Sequence, residues 1–302
     1  MQVRELASKI RKGDRIALAK GITLAENDPA GASNLLARMG PPGRAFVVGI
    51  TGPPGTGKSS LVDRLIETYR RAGSKVSVIA VDPSSPITGG ALLGDRIRMS
   101  DHAGDLNVFI RSMASRGWTG GLSRATSQVI RLMDAAGYEV VLLETVGIGQ
   151  SDIEVVGVSH AVLVVLMPGL GDDIQVSKAG LMEIGDIYVV NKSDLEGADV
   201  MVVNLLSLFR GGPRSPPVLK VSALSGEGID KLHDAIETIR CSFLAGNTGL
   251  RLKSIQGMII ETARGAAMER LAGVSESKAE GLAKQVLAGR ITIEAAAARL
   301  SA

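Results

Sequence analysis

The stretch that most constrains this chain is Gly52-Pro53-Pro54-Gly55-Thr56-Gly57-Lys58-Ser59. It fills every fixed position of the pattern G-x-x-x-x-G-K-[S/T]. An apolar run ending near Thr51 precedes it, and a segment with Leu61, Leu65 and Ile66 at helical spacing follows. Strand, glycine-rich loop and helix in that order make a phosphate-cradling loop, in which backbone N–H groups and the helix N-terminus face anionic oxygens. Gly52 to Ser60 then form the phosphate half of a nucleotide site. Lys58 would reach the β- and γ-phosphates and the Ser59 hydroxyl would ligate Mg²⁺.

A loop of this kind needs a buried sheet behind it, and the pattern supplies one. Phe46 to Ile50, Val76 to Val81, Val108 to Ile110, Val140 to Leu143, Val162 to Leu166, Ile187 to Val190 and Val218 to Val221 read as strands. Most are apolar throughout, as strands covered on both faces must be. Helices are expected at 58–72, 119–136, 174–184, 199–210 and from Gly228 to about Leu244. The alternation predicts an α/β fold with a doubly wound, mostly parallel sheet. Residues 1–42 read as a helical N-terminal extension, with Leu6, Ile10, Ile16, Leu18 and Ile22 near helical spacing and Asp14 placed to cap a second helix. The expected divisions are 1–42, a P-loop domain at 43–245, and a helical C-terminal arm at 246–302.

Composition excludes several function classes. Of 302 residues only 3% are aromatic, which argues against a stacking platform for single-stranded nucleic acid. Basic and acidic residues number 34 and 31, for a net charge of +3, so no nucleic-acid partner is expected. One cysteine and three histidines exclude an internal disulfide and are too few for a zinc site built from those ligands alone. No apolar run approaches the ~20 residues of a membrane span, and no signal-like segment follows Met1. The expectation is a cytoplasmic or matrix-type compartment, with no membrane partner and no tightly bound organic cofactor.

The metal side of the site would come from a carboxylate ending a buried strand. Val140-Val-Leu-Leu-Glu144 supplies Glu144, expected to hold Mg²⁺ through water. Gly147 follows by three residues, where its N–H could sense the γ-phosphate as the glycine of D-x-x-G does. Between the two motifs lies a Gly-, Pro- and Ser-rich stretch from Asp82 to Asp95. Both aspartates suit a metal shell, and both suit turn formation equally well.

The base side comes from Asn191-Lys192-Ser193-Asp194, an N-K-x-D directly after a strand. Its aspartate can accept from guanine N1–H and the exocyclic amine; adenine offers neither, leaving the carboxylate unpaired at a penalty of ~1–3 kcal/mol. Asn191 and the Lys192 stem would support that pocket. Ser222-Ala223-Leu224, after the next strand, would form the second guanine-contacting loop. GTP and GDP are thus expected over ATP.

With these motifs in hand, Val81-Asp-Pro-Ser-Ser, Gly89-Gly, Gly94-Asp, Arg116-Gly, Gly120-Gly, the run Glu144-Thr-Val-Gly-Ile-Gly-Gln-Ser-Asp152, Pro168-Gly and Gly171-Asp-Asp-Ile-Gln resemble the MeaB/ArgK family, which includes the human methylmalonic aciduria type A protein. The likeness covers nearly the whole chain and is most specific from Glu144 to Asp152. It implies a homodimeric GTPase chaperone that gates cofactor loading of an adenosylcobalamin-dependent acyl-CoA mutase, most commonly methylmalonyl-CoA mutase, and protects or reactivates it. It further implies Lys58, Ser59, Asp82, Asp95 and Glu144 as the phosphate and magnesium set, and Asn191, Lys192 and Asp194 as the guanine set. Asp172, Gln175 and Lys178 would belong to a third switch that communicates with the mutase; without the resemblance they read as a capping aspartate and exposed polar residues.

No glutamine or arginine finger is evident after Gly147, with only Gln150 nearby, so hydrolysis is expected to be slow alone and stimulated by the partner. The competing readings are a metallochaperone-type GTPase for another metalloenzyme, an ATPase or kinase linked to basic amino-acid transport, and a GTP-gated scaffold that scarcely hydrolyses.

Overall fold

The computed structural model describes residues 2–41, 43–82, 102, 104–114, 125–145, 151–169, 180–212, 214–246, 249, 252, 255–260, 262–264, 267 and 276–301. Two compact units divide between Gly257 and Met258.

In the first unit, three short helices open the chain: α1 (Val3–Arg11), α2 (Arg15–Asn27) and α3 (Pro29–Ala37). Asp14 caps α2 as its spacing predicts, its carboxylate accepting from Ala17 N at 2.9 Å. Asp28 caps α3 in the same way through Gly31 N, with Pro29 at the first helical position, where its missing N–H costs nothing. Leu6, Ile10, Leu18, Ile22 and Leu35 are buried. Ile16 is 70% exposed: it lies two positions from Leu18, roughly 200° around a helix, so the two cannot share an apolar face.

The described strands are β1 (Phe46–Thr51), β2 (Val76–Asp82), β3 (Val108–Ala114), β4 (Val140–Glu144), β5 (Ala161–Leu166), β6 (Ile187–Val190) and β7 (Val218–Lys220). They form a seven-stranded sheet in the order β3-β2-β4-β1-β5-β6-β7, every pair parallel. β1, β4, β5 and β6 are buried along their whole length, while β7, at the edge, is half-buried. Parallel strands cannot be joined by hairpins, so helices cross between them and cover both faces.

Those helices are α4 (Lys58–Arg71), α5 (Thr126–Ala135), α6 (Ser151–Val158), α7 (Leu181–Ile184), α8 (Ala198–Phe209) and α9 (Ile229–Leu244). α4 and α9 bury Leu61, Leu65, Ile66, Tyr69, Leu232 and Ile236 against Phe46, Val48, Val78, Leu142, Leu163 and Val189. Each such side chain contributes roughly 1.5–3 kcal/mol when removed from water. The parts of the expected 119–136 and 174–184 helices before Ala125 and Gly180 lie outside the described residues. α6 is absent from the sequence reading, which takes its first residues, Ser151 and Asp152, only as the end of the family-specific run from Glu144.

The second unit carries α10 (Glu276–Leu287) and α11 (Ile293–Ser301). Thr292 caps α11 by accepting from Ala295 N at 3.2 Å, and Arg299 reaches Gln285 at 3.4 Å. Among the described residues no helix is long and apolar enough to cross a membrane.

Candidate nucleotide site

The chain changes direction at β1. From it β2 and β4 lie to one side and β5, β6 and β7 to the other. At such a switch point the loops leaving neighbouring strands diverge and open a crevice beyond their carboxyl ends. The residues singled out from sequence that the structure describes stand at the ends of β1, β2, β4, β6 and β7.

The loop after β1 turns on glycines that no other residue could replace cheaply. Gly52 has φ +141° and packs against the Val165 carbonyl so closely that a Cβ would collide with it. Gly57, at φ +86°, is the N-cap of α4. Thr56 is buried and its hydroxyl donates to Pro53 O at 2.9 Å, closing the turn. Pro54 and Gly55 are exposed at its tip, and Ser60 is exposed in the first turn of α4.

Lys58 is 6% exposed. Its ammonium donates to Gly52 O at 2.8 Å and Pro53 O at 3.0 Å, which satisfies a buried cation on the loop's own carbonyls. Ser59 follows, and its hydroxyl donates to Glu144 Oε1 at 2.7 Å. Glu144 is buried at the end of β4, with Ile50 of β1 and Ala80 of β2 as its register partners. The next residue, Thr145, donates its hydroxyl to Thr51 Oγ1 at 3.0 Å and its N–H to Ile50 O at 3.1 Å. These buried hydroxyls tie the roots of the β1 and β4 loops together. A hydroxyl and a carboxylate converging beside a helix N-terminus form a hard oxygen set that suits Mg²⁺.

Asp82 ends β2, so its backbone lies on the same side of the sheet as Glu144. Asp95, Gly147, Asp172, Gln175 and Lys178 lie outside the described residues.

The other half of the site is organised by Asn191, which is 2% exposed. Its amide donates to Thr56 O at 2.8 Å, and its side-chain oxygen accepts from Ala223 N at 3.0 Å. One side chain therefore joins the phosphate loop to the loop after β7. Lys192 adopts φ +57°, uncommon for a residue with a side chain. Asp194 accepts from the Ser222 hydroxyl at 2.7 Å. That hydrogen bond, helped by its own backbone N–H and the Lys192 charge, holds the Asp194 carboxyl below its ordinary value. Ser222 is buried and also accepts from Ser225 N at 3.3 Å, while Leu224 is 82% exposed at the loop's tip.

The sequence reading missed Thr51, Thr145 and Arg64. Arg64 lies in α4, and its guanidinium donates to the carbonyls of Ala223 at 2.9 Å and Leu224 at 3.0 Å.

A model of the family described as methylmalonyl-CoA mutase-associated GTPase MeaB matches residues 18–279. A Pyrococcus horikoshii relative is 51% identical over 241 residues, covering 77% of this chain and 76% of its own. The mouse methylmalonic aciduria type A homolog, named as mitochondrial, is 35% identical over 270 residues, covering 80% of this chain and 64% of its own. A crystal structure titled LAO/AO transport system kinase aligns with a TM-score of 0.72 at 28% identity, covering 99% of this chain and 96% of that one. The phosphate loop, the N-K-x-D strand end and the match along most of the sequence converge: the chain belongs to the MeaB family of methylmalonyl-CoA mutase-associated GTPases.

Proposed function

We propose that this protein is a GTP-hydrolysing chaperone for an adenosylcobalamin-dependent acyl-CoA mutase, gating cofactor loading and protecting or reactivating the enzyme. The observation that carries the nucleotide half is the Asn191 bridge from Thr56 O to Ala223 N, which makes one site of a phosphate loop and a base loop. The mutase half is supported by the family's description and by the name of the mouse relative.

In this reading Asp194 pairs with guanine N1–H and the exocyclic amine, while Asn191, Lys192 and the 222–224 loop frame the base. Residues 52–60 hold the phosphates, with Lys58 turning its ammonium from Gly52 O and Pro53 O to phosphate oxygens. Ser59 and Glu144, joined by Asp82 and Asp95, would hold Mg²⁺. The ion neutralises charge on the β- and γ-phosphate oxygens when bound. Gly147 senses the γ-phosphate. Because phosphoryl transfer depends on positioning and electrostatics, the rate is low until the partner completes the arrangement through Asp172, Gln175 and Lys178. The 246–302 arm supplies a homodimer contact.

The test is GTP hydrolysis with and without a purified cobalamin-dependent acyl-CoA mutase, with ATP as control. Stimulation specific to GTP and lost in Lys178→Ala is the expected result. Tight GTP binding with no stimulation by any such mutase would overturn the client assignment and leave the nucleotide site standing. Turnover of ATP as fast as GTP would overturn the base assignment, and would favour the kinase that the solved relative's title names.

A further inference from the structure

We infer that Arg64 is a positioning residue for guanine selectivity, acting through the 222–224 loop rather than touching the nucleotide; the inference rests on the guanine-site reading above. Arg64 lies six positions after Lys58 on the same helix, about 9 Å along the axis. Its planar fork spans two successive carbonyls, Nε to Ala223 O at 2.9 Å and Nη2 to Leu224 O at 3.0 Å. The remaining nitrogen donates to Glu67 Oε2 at 3.0 Å, which fixes the guanidinium plane from one turn further along α4. Neither loop carbonyl is near Arg64 in sequence; the contacts join residues 159 and 160 positions apart.

The consequence lies in the peptide between Ala223 and Leu224. The described residues contain no cis peptide bond, and in a planar trans peptide the C=O and the following N–H point in opposite directions. Pinning Ala223 O to Arg64 therefore turns the Leu224 N–H away from α4. Among the described residues this N–H has no recorded hydrogen bond. The preceding N–H, of Ala223, is already held by Asn191, so the loop is clamped on both sides of one residue. Leu224 N–H is then the donor available to a base, and a donor there matches the C6 carbonyl of guanine. A 6-amino group in that place would set donor against donor. α4 thus grips phosphate at its N-terminus and, two turns on, sets the direction of the N–H that reads position 6, while Asp194 reads positions 1 and 2.

This division of labour is separable with three diphosphates: GDP, inosine diphosphate, which lacks the 2-amine but keeps the 6-carbonyl, and 2,6-diaminopurine riboside diphosphate, which has the 6-amine. Arg64→Ala is expected to lower GDP affinity about tenfold, on the scale of one lost charge-assisted hydrogen bond. The preference for GDP over the diaminopurine nucleotide should shrink by the same factor, while the preference for GDP over inosine diphosphate stays unchanged. Arg64→Lys, which keeps the charge but cannot span both carbonyls, should fall between. Inorganic phosphate binding, read in parallel, should be the same in all three proteins and reports an intact phosphate loop. An unchanged preference at position 6, or an equal loss at positions 2 and 6, would overturn the inference. Wild-type protein that binds ADP as tightly as GDP would instead overturn the guanine-site reading on which it stands.

Discussion

Asn191 offers the sharpest test of how the two halves of the site are joined. Its side chain is almost wholly buried; its amide donates to Thr56 O at 2.8 Å, with a longer contact to Gly57 O at 3.5 Å, and its oxygen accepts from Ala223 N at 3.0 Å. Asn191→Ala leaves Thr56 O and Ala223 N without these partners, while Gly57 O keeps Leu61 N. A buried polar group deprived of its partner costs about 1–3 kcal/mol, so the pair sets a loss of about 2–6 kcal/mol in nucleotide-free protein, before any effect on binding. Asn191→Asp distinguishes hydrogen bonding from packing. It preserves the volume and the acceptor toward Ala223 N, but it replaces the amide donor with an oxygen facing the Thr56 carbonyl. If hydrogen bonding dominates, the aspartate variant is at least as destabilised as the alanine variant. If packing dominates, it is nearly neutral. Urea unfolding of the nucleotide-free wild type and both variants measures the difference directly, provided the slopes agree. A loss under about 0.5 kcal/mol in Asn191→Ala, the range of an ordinary surface change, would refute the accounting.

Glu144→Asp shortens the reach to Ser59 by one methylene, about 1.5 Å, on a strand held rigidly between two parallel neighbours, whereas Glu144→Gln keeps the reach and loses the charge. Both should raise the Mg²⁺ concentration needed for half-maximal GTP hydrolysis by about tenfold or more; a wild-type Mg²⁺ dependence in the aspartate variant would refute the need for glutamate's length. For Asp194 the sign follows from its lowered carboxyl: the stabilisation is present above the unfolded value of 3.8 and lost as pH falls through the lower folded value. Ser222→Ala removes the leading cause of that lowering, so its GDP affinity should fall away at a higher pH than the wild type's on acidification. Superimposable pH profiles would refute the role of the Ser222 hydroxyl.

What could be read from the sequence follows from where each residue's partners lie. β1, β4, β5 and β6 show as unbroken apolar runs because helices bury both their faces. The phosphate loop and N-K-x-D show because each is a local pattern whose backbone geometry fixes its residue types. α6 was not visible, because Ser151 and Asp152, which open it, also close the family-specific run that starts at Glu144. Ile16 was assigned to the wrong face because a short helix offers few turns over which to average its period. Arg64 and the Thr51–Thr145 pair left no local mark. Their partners are 159 and 94 positions away, and an arginine on a helix or a threonine at a strand end is ordinary until the fold brings the other half alongside.

The phosphate loop is braced from both sides of β1. On one side β4 sends Glu144 to Ser59 and Thr145 to Thr51. On the other, two strands away, β6 sends Asn191 to Thr56. Because these braces start from strands fixed by the sheet, the fold itself supports the loop's shape. Lys58 completes the arrangement, since its charge is satisfied by Gly52 O and Pro53 O and does not pull the loop into another conformation. In the proposed reading, binding would replace these two carbonyl acceptors with phosphate oxygens on a loop already braced, sparing part of the entropy that ligand capture ordinarily costs. In that reading, the same bracing would couple base recognition to phosphate binding. A base held as proposed by Asp194 and the 222–224 loop would bear on Asn191 through Ala223 N, and Asn191 holds the carbonyl next to Gly57, the residue from which α4 and Lys58 begin.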